Sequence, residues 1–320
     1  MSSQVKKPNL LERTINRLDA FQQHHPVLAL PYAVIKKYGD DEAGYQAALI
    51  AYYGFLSLFP LLIVATAIVQ MISQHDVNLR EQFLSSINYY FPALGSNLAD
   101  SIKSPSKTGL ALAIGLLITF YGAKGVADAL QHALNHVWGV PRHLRTGFPK
   151  STLRSFSIIV FGGLGLLAAS TITGYATSGS HSITLRVLMW SGGFLVLYLV
   201  FWSIFTFGSS ARKRPVANIP GAFFAAVGLT VLQSVGTYII SRQLKGQTGL
   251  NAQFAVVLAL LFWMYLQAQI VLYAIELNSV RAFKLWPRSI KPTPPLPADK
   301  KAYELYRSRE TFHVDQPMGH

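Results

Sequence analysis

The chain alternates long uncharged apolar runs with short basic segments, and this pattern predicts an all-α integral membrane protein. About 20 mainly apolar residues in a helix are enough to cross the roughly 30 Å hydrocarbon core of a bilayer. Six runs support a helix of this kind, so six transmembrane helices are predicted. The predicted spans are Ala43–His75, Thr108–Val140, Ser155–Leu185, Val187–Ala211, Pro215–Ser241 and Gly246–Ile275.

The second run turns polar without losing its helical pattern. Only sixteen uncharged residues separate Lys107 from Lys124, which is roughly 24 Å of helix at about 1.5 Å per residue. That length is short of the hydrocarbon core, so a crossing helix must place Lys124 close to the hydrocarbon boundary. Asp128 follows one turn later on the same face. An ionisable side chain at this depth is costly unless it faces a partner or a wet cavity.

The distribution of Lys and Arg predicts that both termini are cytoplasmic. With six spans and a cytoplasmic N-terminus, 22 of the 28 Lys and Arg residues fall in cytoplasmic segments, as the positive-inside rule requires. The stretch between Glu81 and Asp100 is uncharged but only moderately hydrophobic. As a seventh span it would move the basic Arg212–Arg214 loop away from the side of the basic N-terminus. We therefore predict an interfacial helix between the first and second spans.

The predicted spans divide the chain into three parts. Residues 1–42 form a cytoplasmic or interfacial N-terminal segment, with a surface helix at Leu10–Phe21. Residues 43–281 form the six-helix membrane domain. Residues 282–320 form a cytoplasmic, basic tail that contains a proline-rich linker, and we expect this tail to be loosely ordered.

The amino-acid composition is typical of a membrane protein and limits the classes of partner that we expect for it. Charged residues make up 13% of the chain, against about a quarter in soluble domains. The net charge of +14 is explained by basic loops that meet anionic headgroups, so we expect membrane lipids and not nucleic acid as partners. Small-residue helix faces are compatible with a homo-oligomer without requiring one. The sequence contains no cysteine, hence no disulfide and no thiolate metal site.

Two polar stripes supply the candidate functional residues. One runs from Lys124 to Asn135 on the second predicted span, and the other runs from Gln269 to Glu276 on the sixth. We predict that they face each other across a polar vestibule open to the cytoplasm. A basic residue, Lys124 or Arg281, would pair there with Glu276 or Asp128. In the alternative interpretation, Lys124 and Asp128 pair only with each other at i,i+4, and Glu276 is an interfacial residue. The cavity or substrate candidates are Lys124, Asp128, Gln131, Asn135, Gln269, Tyr273, Glu276 and Asn278.

The sequence shows no constellation for catalysis or metal binding. His132 and His136 have the i,i+4 spacing that can bind zinc on a helix, but Ala133 stands where an HExxH motif has glutamate. No phosphate-binding loop ending in GKS or GKT and no serine elbow is present. We predict no catalytic residue, no metal and no cofactor, and we do not expect an enzyme.

Five short motifs stand out in the predicted spans: Tyr52-Tyr53 with Ser57–Pro60, Asn135–Trp138, Pro220-Gly221-Ala222, Trp263 with Tyr265, and Glu276-Leu277-Asn278. Together they resemble the YihY/BrkB family of bacterial inner-membrane proteins, from near residue 30 to near residue 285. The resemblance implies six transmembrane helices in the bacterial cytoplasmic membrane. It also implies a structural role for the motif residues Ser57, Pro60, Pro220 and Gly221. Family members have carried the label ribonuclease BN, but the HxHxDH run of that nuclease type does not occur here, so a nuclease is not expected.

Two classes of function fit these features. The first is a transporter or a lipid- and envelope-handling protein, because an acidic residue and polar stripes lie in apolar spans. The second is a non-transporting membrane scaffold, whose polar residues only fix helix packing and whose basic tail recruits a partner or anionic lipid. An enzyme of the membrane ranks last, since no catalytic constellation supports it.

Overall fold

The structure is a computed structural model that describes residues 10–73, 109–177, 182–211, 213–244, 249–291 and 294–312. All regular secondary structure in these ranges is helical, in agreement with the predicted all-α class. Short 3-10 helices lie at Arg142–Leu144 and Pro215–Asn218. The α-helices are α1 (Leu10–His24), α2 (Pro26–Asp40), α3 (Ala43–Ser73), α4 (Gly109–Val137), α5 (Lys150–Thr177), α6 (Ile183–Phe207), α7 (Ile219–Leu244), α8 (Gly249–Phe283) and α9 (Pro297–Arg309).

Within the described residues, five stretches are long and apolar enough to cross a membrane, and they correspond to α4 through α8. α3 covers the predicted first span as one helix of 31 residues. The predicted interfacial helix between Glu81 and Asp100 lies outside the described residues. The five stretches are Ala113–Val137, Lys150–Ala176, Ile183–Phe207, Pro215–Gly236 and Phe254–Phe283.

The six long helices form a closed ring. α3 packs against α4, α4 packs against α5, and the same order continues along the chain to α8. α8 then packs back against α3 and closes the ring. α3 therefore lies between α4 and α8, which touch each other over a much smaller surface.

Glycines bring neighbouring helices of the ring into close contact. A Cβ on Gly125 of α4 would lie 2.3 Å from the Tyr53 ring of α3. At the contact of α7 with α8, a Cβ on Gly221 would lie 2.1 Å from the carbonyl oxygen of Ala274. These positions have no room for a larger side chain, so small residues set the spacing of these helices, as is common in membranes.

Two helix ends differ from their predicted positions. Arg186 was expected between two spans but lies in the first turn of α6. The cause is Ser182, whose hydroxyl accepts a hydrogen bond from the Leu185 N–H at 3.3 Å and so caps the helix earlier in the chain. The last long helix was expected to end at Ile275 and continues as regular helix to Phe283.

Pro60 lies inside α3 without interrupting it, and the nearby Ser57 hydroxyl does not bind the carbonyl that Pro60 leaves without a donor. A proline at this position leaves the carbonyl of Leu56 without its helical donor. The Ser57 hydroxyl instead donates to the Gly54 carbonyl at 2.8 Å. Ser57 also sets a close helix contact, because a Cβ on Gly122 of α4 would lie 2.5 Å from the Ser57 Cβ.

The N-terminal helices and the C-terminal tail pack together against α8. The expectation of a loosely ordered tail is wrong for its described part, since α9 is a regular helix and the Arg288 side chain is fully buried. Apolar packing explains part of this order, because a small apolar cluster joins α2, α8 and the tail. Its buried members are Ala33, Val34, Val280, Leu285 and Ala302.

Candidate functional site

A cavity of about 390 Å³ lies between α3 and α4, and we call it the α3–α4 groove. Ligand pockets in proteins commonly measure about 300–1,000 Å³, so the groove has the size of a binding site. Its lining is part apolar and part ionisable. The lining residues are Leu49, Tyr53, Tyr121, Lys124, Gly125, Asp128, Ala129 and His132.

Helical spacing on α4 produces the polar side of the groove. Tyr121, Lys124, Asp128 and His132 recur every three or four residues, so they form one stripe along the helix. Gly125 lies within this stripe and lets the Tyr53 ring approach the backbone of α4. The groove thus exposes a stripe of polar side chains beside a close contact between α3 and α4.

A charged pair lies at the centre of the stripe. The Lys124 ammonium forms an ion pair with the Asp128 carboxylate one turn later. The second carboxylate oxygen of Asp128 accepts a hydrogen bond from the Ser155 hydroxyl on α5. The Gln131 side-chain amide donates to the Ser155 hydroxyl at 2.5 Å and to the Ser151 carbonyl at 3.2 Å. The carboxylate of Asp128 is therefore held from two helices.

This pair is open to the groove, since the Lys124 and Asp128 side chains are 35% and 43% exposed. Val137 at the end of α4 lies thirteen positions after Lys124, which is about 20 Å of helix. A charged side chain that faces acyl chains near the middle of a span costs about 2.5–3.5 kcal/mol or more. The ion pair with Asp128 offsets part of this cost for Lys124.

A second polar site is buried where α2, α8 and α9 meet, and we call its four charged residues the terminal ion cluster. The Lys37 ammonium lies 2.9 Å from a Glu276 carboxylate oxygen and 2.5 Å from an Asp41 oxygen. The Arg309 guanidinium lies 2.7 Å from the other Asp41 oxygen. Lys37, Asp41 and Glu276 have no exposed side-chain surface. Two basic and two acidic side chains thus lie together away from solvent.

The charged forms of Lys37 and Asp41 are stabilised by their partners in the terminal ion cluster. Burial by itself favours neutral Lys37, but the Glu276 and Asp41 carboxylates outweigh it and raise the pKa of the Lys37 ammonium. Burial likewise opposes ionised Asp41, yet Lys37 and Arg309 together lower the pKa of the Asp41 carboxyl. Lys37 also donates to the Val137 carbonyl at 3.2 Å, which ties the end of α4 to the cluster.

A neighbouring network fixes the tail. The buried Arg288 guanidinium lies 2.7 Å from an Asp299 oxygen and 3.0 Å from an Asp40 oxygen. The Tyr306 hydroxyl donates to the same Asp40 oxygen at 3.1 Å. Burial would raise the pKa of Asp299, but hydrogen bonds from Arg288 and the Ser289 N–H lower it. The tail is therefore held by ionised groups as well as by apolar contacts.

The structure separates the two stripes that the sequence placed together. Lys124 pairs with Asp128, as in the alternative interpretation, and Glu276 pairs with Lys37. The predicted pairing of Glu276 with Lys124 or Arg281 is wrong, because α3 lies between α4 and α8 and because α2 brings a cation directly to Glu276. None of the groove-lining residues in the described part of the chain comes from α8.

Two predicted candidates fix connections between helices. The Asn135 side-chain oxygen accepts a hydrogen bond from the Ser210 N–H at 2.7 Å, so it holds the segment after α6. The Asn278 side-chain oxygen accepts from the Gly221 N–H at 2.7 Å, which secures the start of α7 on α8. Pro220 stands in the first turn of α7, where a missing N–H costs no helical hydrogen bond.

The other predicted candidates lie in packing contacts. Tyr273 stacks on Tyr38 of α2 with ring centroids 4.0 Å apart, and Gln269 lies beside the Tyr38 hydroxyl. The His132 and His136 rings lie 6.2 Å apart. Among the residues that the structure describes, no group of three His, Cys, Asp or Glu side chains could hold a metal ion, and the expectation of no metal stays a prediction.

Sequence reasoning missed three of the four residues of the terminal ion cluster. Lys37, Asp41 and Arg309 lie in segments that were expected outside the membrane domain. The i,i+4 spacing of Lys37 and Asp41 after an apolar stretch was a local signal for their pairing. No local signal pointed to Arg309, which reaches the cluster from the far end of the chain.

A ring of long apolar helices with few charged side chains defines a multi-pass integral membrane protein. The family model named Virulence factor BrkB matches residues 34–291, which is most of the chain. The chain therefore belongs to this family, and the resemblance found in the sequence is confirmed.

The chain is similar to proteins of several bacteria. It is 26% identical over 295 residues to the inner membrane protein YhjD of Escherichia coli (strain K12), covering 85% of this chain and 87% of that protein. It is 23% identical to the ribonuclease-like protein YfkH of Bacillus subtilis (strain 168), covering 77% and 93%. It is 24% identical to a UPF0761 membrane protein of Vibrio vulnificus (strain YJ016), covering 77% and 80%. No solved structure matches the chain. The protein is a multi-pass inner-membrane protein, as predicted.

Proposed function

We propose that the protein handles membrane lipids by taking a lipid headgroup into the α3–α4 groove and easing its passage across the bilayer. The observation that carries the proposal is the Lys124–Asp128 pair, which is open to the groove and lies within a span. Intramembrane charges that face a cavity commonly mark the path of a polar substrate. A polar strip inside an apolar wall lowers the cost of moving a headgroup through the hydrocarbon.

The surroundings of the groove favour a lipid over a soluble ion. Leu49 and Tyr121 on its lining are 45% and 64% exposed, and Leu117 one turn away on α4 is 71% exposed. Acyl chains can stay against these apolar surfaces while the headgroup reaches Lys124. A soluble ion would gain nothing from them.

The proposed topology has six spans, α3 to α8, with both termini in the cytoplasm and an interfacial helix after α3. The position of α3 in the closed ring supports its role as a span. The concentration of 22 of 28 Lys and Arg residues on one side supports the orientation. In this topology the terminal ion cluster lies at the cytoplasmic end of the ring.

Reconstitution of the full-length protein in liposomes with fluorescent phospholipids tests the proposal. Chemical quenching from outside reports how fast labelled lipids change leaflet. We expect the wild type to accelerate this exchange and Lys124→Ala to slow it severalfold. Lys301→Ala removes an exposed lysine on α9 and is the matched control, expected to behave as wild type. Wild-type exchange no faster than in protein-free liposomes would contradict the proposal, and so would full activity of Lys124→Ala.

A membrane scaffold is the second candidate, and the terminal ion cluster is the observation that favours it. Glu276 is enclosed and paired, which suits a residue that only fixes helix packing. A scaffold predicts that Glu276→Gln is silent in cells while deletion of residues 286–320 abolishes function. No nuclease activity is proposed, although the name of the Bacillus subtilis relative contains the word ribonuclease, because this chain lacks the HxHxDH run.

A further inference from the structure

We infer that the α3–α4 groove selects a zwitterionic aminophospholipid headgroup, with its phosphate on Lys124 and its primary ammonium on Asp128. This inference rests on the proposed lipid-handling function and names its substrate class. The juxtaposition that carries it is one cation and one carboxylate side by side at the mouth of a single cavity.

The positions of the two side chains on α4 suit such a headgroup. Residues four apart on a helix have Cβ atoms about 5–6 Å apart, so Lys124 and Asp128 present opposite charges at neighbouring points of the groove. A phosphoethanolamine group carries its phosphate at one end of a two-carbon chain and its ammonium at the other end. Placing it along the stripe satisfies both side chains at once and leaves no net charge in the groove.

The two side chains are anchored to different extents. Asp128 is fixed by the Ser155 hydroxyl, which is held in turn by Gln131. Within the described part of the chain, Lys124 has no hydrogen-bond partner besides Asp128. Lys124 is therefore the mobile member, and it can turn to a phosphate while Asp128 stays in place to accept the ammonium.

Other common headgroups satisfy only part of this arrangement. An anionic headgroup without an amine would neutralise Lys124 but set its phosphate against the Asp128 carboxylate, and like charges repel. A choline headgroup has a cation but no N–H donor for the carboxylate oxygen. Preference among the three headgroups is thus a direct readout of the role of Asp128.

Native mass spectrometry of the purified full-length protein with an equimolar mixture of phosphatidylethanolamine, phosphatidylglycerol and phosphatidylcholine of identical acyl chains tests the inference. We expect the wild type to retain phosphatidylethanolamine in excess by about tenfold, the effect of a charge-assisted hydrogen bond. Lys124→Ala should lose all three lipids. Asp128→Asn, which keeps the side-chain shape, should retain phosphatidylglycerol and lose the preference. Lys301→Ala should match the wild type.

A second measurement changes the lipid and leaves the protein intact, so it does not depend on how Asp128→Asn folds. N-acetylated phosphatidylethanolamine lacks the ammonium, and the wild type should retain it about tenfold less than the parent lipid. Equal retention of all headgroups, lost only in Lys124→Ala, would overturn the selectivity and leave the proposed function standing. Retention that does not change in Lys124→Ala would overturn both.

Discussion

Lys124 and Lys37 both pair with carboxylates, but the two lysines differ in how far they are buried. Lys124 faces an open groove and can exchange Asp128 for a ligand without leaving a buried charge. Lys37 has no exposed side-chain surface, so it would be an unpaired charge inside the protein without Glu276 and Asp41. The first pair suits binding and the second suits permanent structure.

Lys37→Met is expected to destabilise the protein more than Glu276→Gln. Without Lys37, the buried Glu276 loses its ion-pair partner and Asp41 keeps only Arg309, and breaking a buried ion pair costs about 3–5 kcal/mol. Glu276→Gln keeps the side-chain shape and leaves Lys37 paired with Asp41. Thermal unfolding of the purified variants in one detergent measures both effects. An unchanged melting temperature for Lys37→Met would show that the cluster does not stabilise the fold, and Lys301→Met controls for the loss of an exposed lysine.

Neighbouring residues of the same type show why the cluster could not be predicted from the sequence. Lys36 pairs with Asp299, 263 residues away, and is partly exposed. Lys37 pairs with Glu276, 239 residues away, and is fully buried. Helical periodicity predicts that the two lysines point in different directions. It does not tell which distant carboxylate each one meets.

At the scale of the helix, the sequence was a good guide to where the long helices lie. A bilayer accepts only segments that satisfy their own backbone hydrogen bonds, so apolar runs must appear as helices. The sequence carries no comparable signal for the order of the helices around the ring. Because α3 lies between α4 and α8, it separates the two polar stripes. The tail was misjudged because its composition is polar, while its order depends on carboxylates of α1 and α2, such as Asp19 and Asp40.

Gly221→Ala is expected to destabilise the contact of α7 with α8. The new Cβ would lie 2.1 Å from the Ala274 backbone carbonyl, which cannot move aside as a side chain can. Overpacking of this kind costs about 1–3 kcal/mol. The matched control is Gly163→Ala on α5, where no atom lies within 4 Å of the new Cβ. Melting temperatures of the two variants give the comparison, and equal values would contradict the tight contact.

For the whole molecule, the proposed topology can be tested with single cysteines, since the natural sequence contains none. Thr184 in the first turn of α6 and Lys301 on α9 are both exposed. Three proposed spans separate them, so they should lie on opposite sides of the membrane. A membrane-impermeant maleimide should label Thr184→Cys in intact cells and Lys301→Cys only after lysis.

The labelling has two contradicting outcomes with different meanings. Reversed accessibility would overturn the orientation and leave the three crossings in place. Labelling of both positions from the same side would contradict the number of crossings between them. Protein without cysteine, treated in parallel, reports the background of the reagent.

Asp41 and Arg309 are 268 residues apart, so the ribosome synthesises Asp41 long before Arg309. At about 5–20 residues per second, the delay is on the order of ten seconds to a minute. Throughout that interval the carboxylate of Asp41 lacks one of its two cations, and Asp40 lacks Arg288 for most of it. Only a chain translated almost to its end supplies Arg288 to Asp40 and Arg309 to Asp41. A prematurely terminated protein therefore lacks the ion pairs that join its N-terminal helices to the tail.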